Sequence, residues 1–267
     1  MVAPDDCRSQ AEYIKYFDDA IAVMQTEEAL ERIAYELCLD SAAENIDYLE
    51  VRWAPRLHLK GGLSIDGVIR AVLSGLDQGP IDAVALVCAM RQDNPFDNLD
   101  LARAAGKFAG HGVVGFDLAG PELDYPAWIH DDAFAAAKEA GLHLTCHAGE
   151  AGIPFNVSDA VIDLGVERIA HGVTGARNPE IVDLLRREGI VLDICPTANW
   201  KCKAVQELSE HPLPRLVRAG VRCTISTDSR TVADTTLTRE FDLMSRVGMT
   251  DEELRACNET AYAAKFG

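Results

Sequence analysis

Leu142-His143-Leu144-Thr145-Cys146-His147-Ala148-Gly149-Glu150 reads as a short apolar strand that releases a histidine, two small residues and a glutamate at its carboxyl end. In parallel α/β proteins ligands collect at the carboxyl ends of strands, so His147 and Glu150 stand where a site is built. The same letters, taken alone, also describe a satisfied histidine and a glutamate that caps the next segment. Repetition favours the site. Arg168-Ile169-Ala170-His171-Gly172 and Val221-Arg222-Cys223-Thr224-Ile225-Ser226-Thr227-Asp228 end in the same manner. Two imidazoles and two carboxylates at strand tips are the parts of a metal site or an acid/base site.

Working outward, apolar residues at three- and four-residue spacing (Leu30, Ile33, Ala34, Leu37, Cys38) predict a helix over 26–45, capped by Thr26. Further helices are expected over 64–76, 100–109, 126–140, 158–164, 213–219 and 235–246. Another runs from the N-cap and N1 pair Asn178-Pro179 to Gly189, and the last opens at the capping box Thr250-Asp251-Glu252-Glu253. Strands are expected to begin at Ile46, Ala83, Val113, Leu142, Glu167, Ile190 and Val221, each followed by a helix. The continuous apolar run Ala83 to Met90 is the mark of a strand covered on both faces. Regular βα repetition predicts a parallel α/β fold, either a (β/α)8 TIM-type barrel or an open doubly wound sheet. No G-x-G-x-x-G follows the first strand, which counts against a dinucleotide-binding sheet. Seven strands are one short of a barrel, and the first βα unit is the one expected to be missing, because the chain starts with a loop and helix. No linker composition interrupts residues 1–267, so a single barrel domain is expected.

The 267 residues are 48% hydrophobic and carry a formal charge of -18, enough apolar matter for a core and the wrong sign for a nucleic-acid backbone or an anionic membrane. Eight cysteines without a C-x-x-C pair read as reduced, buried thiols of a cytoplasmic protein. Neither a secretory leader nor an apolar span is legible in the sequence.

A barrel would gather His147, His171 and Asp228 at one mouth, and two imidazoles with a carboxylate suit zinc. Glu150, three residues past His147, suits a general acid/base beside the metal, or a ligand. Among the other histidines, His111, His130, His143 and His211 read as solvated or structural, whereas His58 lies in a loop on the active face and stays a candidate. Gly120, in Phe116-Asp117-Leu118-Ala119-Gly120-Pro121-Glu122, would let a flat ligand approach backbone N–H groups, or is simply a turn glycine. Cys195-Pro196-Thr197-Ala198-Asn199 reads as a strand-end turn without obvious chemistry. No G-x-S-x-G elbow supports a serine hydrolase.

Together, HAGE at 147–150, GFDLAGPE at 115–122, the His171-Gly172 pair, CPTAN at 195–199 and STDS at 226–229 resemble, in order and spacing, the adenosine deaminases, metal-dependent amidohydrolase-like barrels. The resemblance implies His147 and Asp228 as zinc ligands, Glu150 as the residue that protonates purine N1, and His171 as the imidazole that orients and deprotonates the attacking water. Asp228 would also contact that water, and Gly120 would donate a backbone hydrogen bond to the purine. The family's second aspartate after the threonine is Ser229 here, whose hydroxyl would serve as the N7 donor at any pH. The family's H-x-H pair of the first strand occurs nowhere in the chain, which agrees with the strand count and implies an N-terminally truncated deaminase or a misassigned start. The implied activity is zinc-dependent hydrolysis of adenosine or deoxyadenosine to inosine or deoxyinosine plus ammonia, in purine salvage. The alternatives are a catalytically impaired purine-nucleoside-binding protein and a sister deaminase acting on adenine or a modified nucleoside. The expected partner is a small purine nucleoside, with homo-oligomerisation or aggregation through exposed barrel edges.

Overall fold

The computed structural model describes residues 1–267 and carries seven strands: β1 (Tyr48–Trp53), β2 (Asp82–Met90), β3 (Val113–Ala119), β4 (His143–Ala148), β5 (Arg168–His171), β6 (Val191–Ile194) and β7 (Arg222–Ile225). All pair in parallel in the order β1 to β7, the strand order of a TIM-type barrel with one βα unit fewer than eight. Packing separates the chain into two compact units.

One unit comprises residues 18–119, 129–144 and 266–267. In it β1 pairs with β2 from Tyr48–Asp82 to Trp53–Val87, β2 pairs with β3, and β3 meets the first residues of β4 at Gly115–His143 and Phe116–Leu144. Helix Glu27–Ala43 starts at Thr26, whose hydroxyl accepts from Ala29 N, and helix Ile65–Asp77 starts at Ser64 in the same way. These two helices touch closely at Gly75, where a Cβ would lie 2.1 Å from the Glu31 carbonyl oxygen, so only glycine fits. Val68, Ile69, Val72 and Leu76 of the second helix are buried. Each such side chain stabilises by about 1.5–3 kcal/mol relative to exposure. Phe116 of β3 meets Phe134 of helix Asp131–Glu139 edge-on at 5.5 Å.

His58, a site candidate by its place in the loop after β1, is a buried structural residue. It closes the turn Pro55–His58, is 3% exposed, and its Nδ1 lies 2.8 Å from the Met24 carbonyl oxygen, a structural bond.

The other unit comprises residues 1–17, 120–128 and 145–265. There the rest of β4 pairs with β5 (Thr145–Arg168), β5 with β6 and β6 with β7. Ile169, Leu185, Leu192, Ile194, Leu213 and Leu216 are fully buried. Among them lies a polar cluster: Thr224 Oγ1 donates to Asp193 Oδ1 at 3.1 Å, and Arg168 Nε forms an ion pair with Asp193 Oδ2 at 3.6 Å.

Several boundaries differ from the sequence reading. The helix expected over 100–109 is Pro95–Gly106, because Asn94 accepts from Phe96 N and Pro95 takes the first position. Phe96 and Phe155, at 75% and 58% exposure, open their helices outward and so hide the amphipathic period. The latter begins Phe155–Asp163, three residues before the expected start. The span 126–140 divides into the single turn Ala127–His130 and helix Asp131–Glu139. Residues 195–197 open helix Pro196–Lys201 rather than a plain turn. All eight cysteines are buried thiols outside any disulfide, and no helix is long and apolar enough to cross a membrane.

Burial of His211, which accepts from Leu213 N at 3.2 Å, pushes its imidazole pKa down to about 3. A histidine that stays neutral when folded but takes a proton when unfolded makes stability fall as pH drops below about 6.5. The expected loss is about 1.4 kcal/mol per pH unit from about 6.5 towards 3. Urea unfolding at pH 7 and pH 5 measures it. His211→Asn, which keeps a side-chain acceptor without a titrating group in this range, flattens that slope; an unchanged slope would refute the assignment.

Candidate active site

The strand ends of the second unit gather the polar residues. β4 delivers His147 and the turn to Glu150, β5 ends on His171, and the segment after β7 carries Asp228. Glu150, His171 and Asp228 each offer an imidazole nitrogen or carboxylate oxygen, all within 4.8 Å of one another. Glu150 Oε1 lies 3.6 Å from His171 Nε2, and the rings of His147 and His171 have centroids 5.3 Å apart. The four residues proposed from sequence therefore converge, although 81 positions separate His147 from Asp228 (228 − 147).

His171 and Asp228 have φ of 73° and 56°, the left-handed region that favours glycine. Two non-glycine residues at two strand ends both hold this costly backbone, and such strain concentrates at functional sites. Desolvation raises the Asp228 carboxyl above its ordinary range. The imidazoles of His171 and His147 oppose that shift, and the charge of Glu150 adds to it.

Supporting contacts set the orientation of these groups. Glu122, 3% exposed, accepts from three consecutive backbone N–H groups: Gly149 at 2.5 Å, Glu150 at 2.8 Å and Ala151 at 2.8 Å. One carboxylate thus holds the turn that carries Glu150. Asn199, fully buried, places its carboxamide nitrogen 2.9 Å from His171 Nδ1, which turns Nε2 toward Glu150. Glu240, also fully buried, accepts from Thr197 N at 2.9 Å and from Thr235 Oγ1 at 2.5 Å. It anchors the start of the helix on which Asn199 rides.

Of the expected ligand-facing residues, Gly120 follows β3 with φ 107°, a conformation open to glycine, two positions before Glu122. Ser229 Oγ accepts from Val232 N at 3.3 Å as the cap of the turn Arg230–Ala233, and its hydroxyl proton remains available to donate.

Glu122, Asn199, Glu240 and Gln10 were not singled out from sequence. Glu122 and Asn199 lie inside quoted motifs, so the signal was present without a role; Gln10 and Glu240 are distant in the chain and carried none.

Glu150, His171 and Asp228, with the His147 ring beside that of His171, offer imidazole and carboxylate donors of the kind that hold a divalent metal ion.

Comparison with known proteins gives concordant findings. The profile of a family described as adenosine deaminase matches residues 2–266. An adenosine deaminase of Enterococcus faecalis is 39% identical over 271 residues, covering 100% of this chain and 80% of that enzyme. An amidohydrolase from Burkholderia ambifaria, solved with bound Zn, is 25% identical with a TM-score of 0.85, covering 91% of this chain and 70% of that one. The N6-methyl-AMP deaminase from Arabidopsis thaliana is 28% identical with a TM-score of 0.87, covering 97% and 80%.

Proposed function

Since the chain belongs to the adenosine deaminase family, whose members are hydrolytic deaminases, we propose that its own reaction is adenosine or deoxyadenosine plus water giving inosine or deoxyinosine plus ammonia. The observation that carries the reading is the approach of Glu150, His171 and Asp228 within 4.8 Å, beside His147. Glu150 gives a proton to purine N1, which draws electron density away from C6. For His171 Nε2 to receive the proton of the attacking water, Nδ1 carries the ring proton and donates it to Asn199 Oδ1, the buried carboxamide oxygen that has no other partner, with the amide turned over. Asp228 orients that water. His147 and Asp228 would hold a zinc ion, which when bound supplies Lewis acidity and makes water nucleophilic near neutral pH. The Gly120 N–H and the Ser229 hydroxyl donate to ring nitrogens and set the orientation of the base.

Ultraviolet spectroscopy tests the reading directly. With zinc supplied, the chain is expected to lower absorbance near the adenosine maximum as inosine accumulates, and to act more slowly on free adenine and N6-methyl-AMP. A zinc-loaded chain that leaves adenosine unchanged overturns the assignment.

A further inference from the structure

Resting on the deaminase reading of Glu150, we propose that Gln10 is the positioning residue for that carboxylate, engaging Oε2 and leaving Oε1 as the oxygen presented to the purine. Gln10 opens the short helix Gln10–Ile14 and is 7% exposed. Its Oε1 accepts from Glu122 N at 3.2 Å, and its Nε2 donates to Glu150 Oε2 at 2.6 Å. The direction of the carboxamide follows from chemistry. A backbone N–H can only donate, so the atom facing Glu122 N must be the oxygen, and the NH2 must face Glu150.

The contact at Glu150 is short and involves a group able to carry charge, the strong class of hydrogen bond. With Oε2 engaged, Oε1 is the oxygen 3.6 Å from His171 Nε2. The backbone turn does not depend on this amide, because Glu122 already accepts the N–H groups of residues 149–151. What Gln10 controls is therefore the Glu150 side chain. Tyr13 lies one helical turn on, on the same face of the helix. It is 2% exposed, its hydroxyl has no hydrogen-bond partner, and its ionisation is disfavoured by burial and then by the charges of Asp228 and Glu150. The inner face of this helix is turned to the reacting groups.

Two variants and two readouts test the proposal. Gln10→Met keeps the length and volume of the side chain and removes the donor; Gln10→Glu sets a second carboxylate against Glu150. Both are expected to lower kcat for adenosine, the first by about 10-fold and the second by about 100-fold, with KM within about threefold of the parent and thermal unfolding little changed. Independently of turnover, one Gln10 side-chain amide proton in the parent is expected to resonate downfield of the other glutamine amides and to return among them in Glu150→Ala. If the parent chain deaminates nothing, the functional reading fails and the amide resonance alone decides the positioning role. A Gln10 amide unmoved by Glu150→Ala, or a Gln10→Met enzyme with undiminished kcat, overturns it.

Discussion

Glu150→Gln is expected to lower kcat for adenosine by about 1000-fold while leaving the fold intact. General acid–base groups contribute about 100- to 10,000-fold, and Glu150 is a buried carboxylic acid with Oε1 3.6 Å from His171 Nε2. Glutamine preserves the length of the side chain and an oxygen able to accept from Gln10 Nε2, so the packing around this 6% exposed residue survives. It cannot deliver a proton to a ring nitrogen and become a stable anion. Steady-state kinetics and thermal melts on one preparation separate the outcomes. A variant with the parent melting temperature and more than a tenth of its kcat would remove Glu150 from the role of acid.

The second large effect falls on stability. Glu122→Ala deletes the acceptor of three backbone N–H groups at once, in a turn whose residues Gly149 and Glu150 are buried. Each donor left without a partner away from water costs about 1–3 kcal/mol, so a loss of about 3 kcal/mol or more is expected from urea denaturation. Glu122→Gln retains one carbonyl oxygen and is expected to fall between the parent and alanine. Activity is expected to fall further than stability alone explains, since the loosened turn carries Glu150. An alanine variant within about 0.5 kcal/mol of the parent would show that water replaces the carboxylate and that the turn needs no anchor.

The legible parts of this protein were those whose physics is local. Apolar runs and N-cap residues such as Thr26 and Asn178 marked strands and helices directly, and each cap makes its bond. The strand count and order followed, because parallel βα repetition restricts topology to few choices. Strand ends also pointed to His147, Glu150, His171 and Asp228, since the fold class dictates where chemistry gathers.

What stayed hidden was long-range. Gln10 reaches Glu150 across 140 positions, and Glu240 reaches Thr197 across 43, and nothing in the neighbouring letters of either residue announces those pairings. His58 misled for the opposite reason. Its position in the loop after β1 is right for a site residue, yet it is buried with Nδ1 bonded to the Met24 carbonyl. Asn199 was read as part of a turn because helix Pro196–Lys201 is only six residues long and has no apolar period to reveal it.

The central claim is that three strand ends of one unit assemble a single site for a divalent cation, with His147 and Asp228 as its holders. Competition between the 267-residue chain and a chromophoric chelator for zinc tests this most directly. The account predicts one equivalent of zinc per chain, released by His147→Ala and by Asp228→Ala and retained by His58→Ala. Zinc binding that survives both substitutions, or that depends on His58, would contradict it.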